Sequence, residues 1–134
     1  SHTRSHADLA EVEPAAALSE IQESKAILED RTGSPVDHFA YPYGRYAANT
    51  PDMVGQCGYL TACSTRSGFN TPPFDRYALR RIEVYGSDNL LNFRMKLHLG
   101  TNDGSLRNVL AYYWGRLLSR LPGTWQKSNR RTLR

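Results

Sequence analysis

Cysteine and methionine are scarce, with two of each in 134 residues. Cys57 and Cys63 lack the Cys-x-x-Cys spacing of a zinc ribbon or a redox site. Both lie in apolar stretches, where free cysteine packs as a small hydrophobe, so core positions are expected and the redox compartment stays open. Long hydrophobic runs are absent too: none approaches the roughly 18 residues of a membrane span. No repeat, low-complexity segment or secretory signal is visible. The chain opens Ser-His-Thr without Met, so its natural start is expected upstream. Acidic residues are missing from the C-terminal part. From Ser105 onward there are seven basic residues (Arg107, Arg116, Arg120, Lys127, Arg130, Arg131, Arg134) and no acidic one, whereas residues 1–104 carry 10 basic and 13 acidic. This tail sets the sequence pI near 9.3. It reads either as a solvated basic end or as a contact for an anionic surface.

What is present is ordinary for a soluble globular domain: 40% apolar and 22% charged residues, 10 Gly and 7 Pro. A chain of this length buries a core without disulfides. Pro14 at a first helical position, a stripe of Ala17, Leu18, Ile21 and Leu28, and the stop at Gly33 and Pro35 predict a helix over 14–31. Glu20, Glu23, Lys25 and Glu29 are assigned to its other faces. A strand is predicted from Val36 to Tyr41, then a helix from Thr50-Pro51-Asp52 to Gly58. Strands at Tyr59–Ser64 and Leu79–Tyr85 follow. Ser87 is the expected cap of a helix with Leu90, Leu91, Phe93, Arg94 and Leu97, and Asn102-Asp103-Gly104 makes a turn. The last helix, Leu106 to Leu121, carries a stripe of Leu106, Val109, Leu110, Tyr113, Leu117, Leu118 and Leu121. The simplest reading packs that stripe on a sheet. After Pro122-Gly123 loose structure is expected. Alternating helices and strands favour a parallel α/β sheet, and three short strands are thin for one.

Two segments can carry chemistry. In His2-Thr3-Arg4-Ser5-His6, two imidazoles four positions apart face one way if the segment forms a helical turn, and they offer two neutral nitrogen ligands to one metal. Two ligands alone are too few, and a solvated histidine pair is the plainer interpretation. Phe39-Ala40-Tyr41-Pro42-Tyr43-Gly44 is a strand running into a tight turn. Gly44 allows positive φ, and free N–H groups at such a turn can stabilise an oxyanion.

In this order the two segments resemble the polysaccharide deacetylases of carbohydrate esterase family 4, the chitooligosaccharide-deacetylase homology group. His2 to His6, continued by Asp8 and Leu9, is similar to that family's second motif, and Phe39 to Gly44 to its third. The stretch with Glu20-Ile21, Ser24-Lys25 and Leu28-Glu29 resembles the helix between them. Val54, Gly58-Tyr59, Ala62 to Thr65, and Ala78 to Ile82 with Val84 extend the likeness over roughly residues 1–100.

The resemblance implies an α/β fold, the C-terminal part of a distorted (β/α) barrel, in residues 1–104, with an amphipathic helix and basic tail in 105–134. It implies His2 and His6 as ligands of a divalent metal, most often zinc. It gives Tyr43 as a backbone oxyanion donor, and Tyr41, Pro42 and Gly44 as substrate-groove residues. The implied reaction is hydrolysis of N-acetyl, or O-acetyl, groups on a polysaccharide or oligosaccharide, in an extracytoplasmic or cell-envelope setting.

Departures matter. The family's Thr-Phe-Asp-Asp motif, holding the base and the third ligand, is not in this sequence, so the catalytic base is expected outside it and the chain alone is expected to be weak or inactive. Ala40 stands where the family has Arg, and His98 is a poor match to the later catalytic histidine. His38 reads as a strand residue at the groove edge. A C-terminal piece of a longer deacetylase is the favoured account, with unpaired strand edges and self-association as its consequences. The alternative is a non-catalytic carbohydrate-binding or scaffolding remnant in which Tyr41, Tyr43 and Tyr46 stack on sugars. No nucleic-acid module is recognisable. The last helix, with Arg107, Arg116 and Arg120, is also compatible with weak contact to an anionic membrane surface.

Overall fold

The structure, a computed structural model, describes residues 1–119, with only the backbone described at Leu106. The tail from Arg120, with its expected loose structure, and Leu121 of the last helix lie outside the described residues. The chain divides into two compact units, Ser1–Glu83 and Val84–Arg134. The division precedes the third helix and does not fall at Gly104.

In the first unit, α1 (Pro14–Thr32) starts with Pro14 in its first turn and ends at Gly33, whose left-handed φ of 64° lets its N–H reach the Glu29 carbonyl. Strand β1 (His38–Ala40) lies parallel to β2 (Thr61–Cys63), with Phe39 opposite Ala62. Helix α2 (Thr50–Gln56) makes the crossover, with Pro51 and Asp52 in its first turn. Leu9, Ala17, Ile21, Phe39, Tyr41, Val54, Tyr59 and Ala62 form the core around this pair. Cys57 and Cys63 are half-buried free thiols, not core residues; Cys57 packs at the core's margin.

Both strands are shorter than expected, and the third does not form. Leu79 makes one isolated parallel bridge to Cys63. The reason is local: Asn70 Oδ1 accepts from the Arg80 N–H and its Nδ2 donates to the Arg80 carbonyl, each at 2.9 Å. A side chain thus occupies the groups a ladder would need. The sheet has two strands among the described residues, and no barrel is formed by them. Its edges are not bare. The Ser1 carbonyl accepts from Ala40 N–H beside β1, and the Leu79 carbonyl accepts from Ser64 N–H beside β2.

In the second unit, α3 (Leu90–Leu99) is capped by Asn89, whose side chain accepts from Asn92 N–H, and not by Ser87. Lys96 is buried at 2% exposure. Its ammonium lies 2.5 Å from the Asp88 carboxylate and 4.3 Å from the Tyr85 ring centroid. Helix α4 (Leu106–Leu118) has the expected span to within its end. Among the described residues its stripe is left largely open: Leu110, Tyr113 and Leu117 are 68%, 50% and 56% exposed. No helix among the described residues is long and apolar enough to cross a membrane.

Candidate functional site

The His2–His6 segment does not form the helical turn that would align its imidazoles. It is an irregular loop in which Thr3 and His6 have φ of 58° and 61°. The two rings nevertheless meet, with centroids 4.8 Å apart and edge-to-face. Left-handed backbone at Thr3 and His6 achieves what helical spacing was expected to do. Such backbone costs about 1–2 kcal/mol per non-glycine residue. In a β-branched residue such as Thr3 it is an outlier that surrounding structure must hold.

The holding group is Glu20 of α1, which sequence reasoning assigned to an outer face. It is buried, and its carboxylate accepts from Arg4 N–H at 2.9 Å, Ser5 N–H at 2.8 Å and Ser5 Oγ at 2.7 Å. Burial pulls its pKa up, but the donors of Ser5 and Arg4 outweigh this and leave the carboxyl below its ordinary value. A signal was available. Ala17, Glu20, Ile21 and Ser24 are three or four residues apart on one helix face, and an acid within a buried face needs dedicated donors.

The ring nitrogens are differentiated. His2 Nδ1 lies 2.6 Å from the Ala40 carbonyl. A carbonyl only accepts, so this contact puts the proton on Nδ1 and leaves the Nε2 lone pair of the neutral ring available, the tautomer found in metal-binding histidines. His6 Nδ1 is 3.2 Å from Tyr43 Oη, and the rings of His6 and Tyr43 pack edge-on with centroids 4.7 Å apart. These donors fit a divalent metal as a two-nitrogen partial set. No cluster of three His, Cys, Asp or Glu able to hold a metal occurs among the described residues. Asp8 is engaged elsewhere, paired with Arg45 at 2.9 Å.

The turn after β1 is also left-handed. Tyr43 has φ 57°, and two bonds close the turn, Gly44 N–H to the Tyr41 carbonyl at 2.9 Å and Arg45 N–H to the Pro42 carbonyl at 3.1 Å. Neither uses the Tyr43 N–H. Gly44 has φ 68°, and a Cβ there would lie 2.0 Å from Thr65 Oγ1 and 2.5 Å from Thr65 N. Only glycine fits. Arg45, bound to Asp8 and Glu11, ties the turn to the loop beyond His6.

The expected groove residues divide in two. Tyr43 is 62% exposed. Tyr41 is 1% exposed, and Pro42 is also fully buried. Their side chains support the turn from beneath and cannot meet a substrate. Tyr41 donates to the Tyr77 carbonyl at 2.7 Å, and its ring packs on Tyr46 at 4.2 Å. A sugar platform that includes the Tyr41 ring is therefore not formed; Tyr43 is exposed and Tyr46 half-buried. His38 is exposed at the strand edge, with Nδ1 2.9 Å from Thr61 Oγ1. His98 belongs to the second unit, where it contacts Tyr113 Oη at 3.3 Å.

This parallel β–α–β unit, with paired histidines beside the first strand, is an α/β arrangement. Residues 1–62 match the family model for polysaccharide deacetylase. Solved structures agree. The Streptococcus pyogenes deacetylase PplD, in complex with acetate, is 27% identical with a TM-score of 0.61, over 64% of this chain and 38% of that one. The candidate polysaccharide deacetylase BA0330 from Bacillus anthracis is 30% identical at 0.59, over 66% of this chain and 28% of that one. The polysaccharide deacetylase BC0361 from Bacillus cereus is 27% identical at 0.61, over 70% and 30%. No curated protein matches the sequence significantly. Residues 1–62 thus match the polysaccharide deacetylase model, and the chain shares the fold of these solved structures over 64–70% of its own length while spanning 28–38% of theirs.

Proposed function

We propose that this chain supplies the histidine and oxyanion side of a metal-dependent deacetylase acting on N-acetyl groups of a polysaccharide. The observation that carries the reading is the convergence of strained backbone on one spot. Thr3, His6 and Tyr43 are the non-glycine residues with positive φ among those described, and all three belong to this site.

In this reading His2 and His6 hold a divalent ion, most simply zinc, through Nε2. Such an ion, when bound, supplies Lewis acidity toward an acetyl carbonyl and acidifies a bound water. The Ala40 carbonyl fixes the His2 tautomer, and Tyr43 orients His6. The Tyr43 N–H, outside the turn's bonds, donates to the oxygen that becomes negative when water adds to the carbonyl carbon. The exposed Tyr43 ring offers a face to the sugar. Amide C–N cleavage then releases acetate, and the leaving amine nitrogen takes the proton that a general base removed from the attacking water.

The third metal ligand and the general base are carboxylates from outside these 134 residues. β1 and β2 are then neighbouring strands of a distorted (β/α) barrel. A cell-envelope or extracytoplasmic glycan is the corresponding substrate class.

The test is acetate release from N-acetylchitohexaose with zinc added. These residues alone turn over near background. Joined to a segment bearing the Asp pair they become active, and His2→Ala or His6→Ala lowers kcat/KM by about 100-fold or more. Undiminished turnover in both variants would overturn the reading.

A further inference from the structure

Among the described residues, nothing covers one apolar face of helix α4. Leu110, Tyr113, Trp114 and Leu117 are between 50% and 68% exposed and, with Arg116, line an open depression of about 530 Å³. At about 100° per residue these side chains and Val109 fall within an arc of about 140°. Arg116 borders the arc on one side and Arg107 on the other. No acidic residue occurs from Ser105 to the end of the sequence, against seven basic ones.

We propose that α4 lies in the interface of an anionic lipid bilayer. Its leucines and aromatic rings enter the acyl boundary, and Arg107 and Arg116 reach the headgroup phosphates. An apolar arc edged by arginines, with Trp and Tyr among the apolar residues, is the pattern of a helix that lies on a membrane. The helix has 13 residues, too few to span. A symmetric contact between two copies of the helix would bring Arg107 and Arg116 together with no carboxylate on α4 itself to pair them, whereas lipid phosphates pair both, so lipid is the better partner. The proposal is independent of the deacetylase reading, which concerns the other unit.

The experiment is co-sedimentation of the full chain with phosphatidylcholine vesicles and with equimolar phosphatidylcholine–phosphatidylglycerol vesicles. Partition onto the anionic vesicles is expected to be about tenfold stronger or more, and to weaken with salt. Leu110→Glu with Leu117→Glu removes at least about tenfold of it while leaving the melting temperature unchanged. Arg107→Gln with Arg116→Gln removes about tenfold and flattens the salt dependence. Equal or no binding to the two vesicle types would overturn the proposal. So would full binding by the Leu→Glu variant, which assigns the contact to residues 120–134. A lowered melting temperature or a lost dimer in that variant would make the face a packing or self-association surface instead.

Discussion

Thr3, His6 and Tyr43 have left-handed backbone, and a fixed neighbour borders each of the two segments that hold them. For the Tyr43 turn that neighbour is the Thr65 backbone and hydroxyl, packed where a Gly44 side chain would stand. Gly44→Ala therefore destabilises the first unit by about 2 kcal/mol or more, read as a shift in urea midpoint, since a backbone nitrogen cannot move aside as a side chain does. For the histidine loop the neighbour is Glu20. Its folded pKa lies below the ordinary carboxyl value, with burial opposing ionisation and the Ser5 and Arg4 donors prevailing. A depressed carboxyl contributes stability that is complete above its unfolded pKa and is lost as pH falls through the folded one. Urea unfolding should thus show stability dropping as the pH goes from about 5 to about 3, and Glu20→Gln should be less stable at neutral pH with a flatter acid slope. An equal slope in the variant would assign the acid sensitivity to the other lowered carboxyls, Glu29, Asp88 and Asp103. That His2, His6 and Tyr43 lie together was legible from residue type and order. Glu20 was not, because a hydrophobic stripe read alone sends every charge outward.

The elements repeat that lesson. α1 was readable almost to the residue, since Pro14 and Gly33 punctuate it chemically. Which face it buries was less so: Ile21 is fully buried, whereas Leu28, on the same stripe, is 37% exposed. Ile21→Ala should cost about 3 kcal/mol and Leu28→Ala under about 1 kcal/mol, measured by chemical denaturation. The expected third strand failed because Asn70 takes the Arg80 backbone groups, a side-chain competition from the preceding turn that alternation patterns do not encode. At α3 the cap fell to Asn89 in place of Ser87. Asn89→Ala should lower the second unit's stability by about 1 kcal/mol, and Ser87→Ala should leave it nearly unchanged. The stripe of α4 was correctly seen as one face, but periodicity reports a face without saying what covers it.

At the scale of the molecule, the first unit presents a complete two-histidine arrangement within an incomplete donor set. Its chain spans 28–38% of the length of the deacetylases whose fold it shares. The likeness to polysaccharide deacetylases, which the family model matches over residues 1–62, was readable from two short segments. The geometry that makes them a site was not, because it depends on positive φ at residues that normally avoid it. The claim that these strained residues exist to present two Nε2 atoms is tested most directly by zinc calorimetry on the full chain. The account predicts one weak, saturable site, lost in His2→Ala and in His6→Ala and retained in His98→Ala. Binding that survives both loop substitutions, or no binding at all, would contradict it.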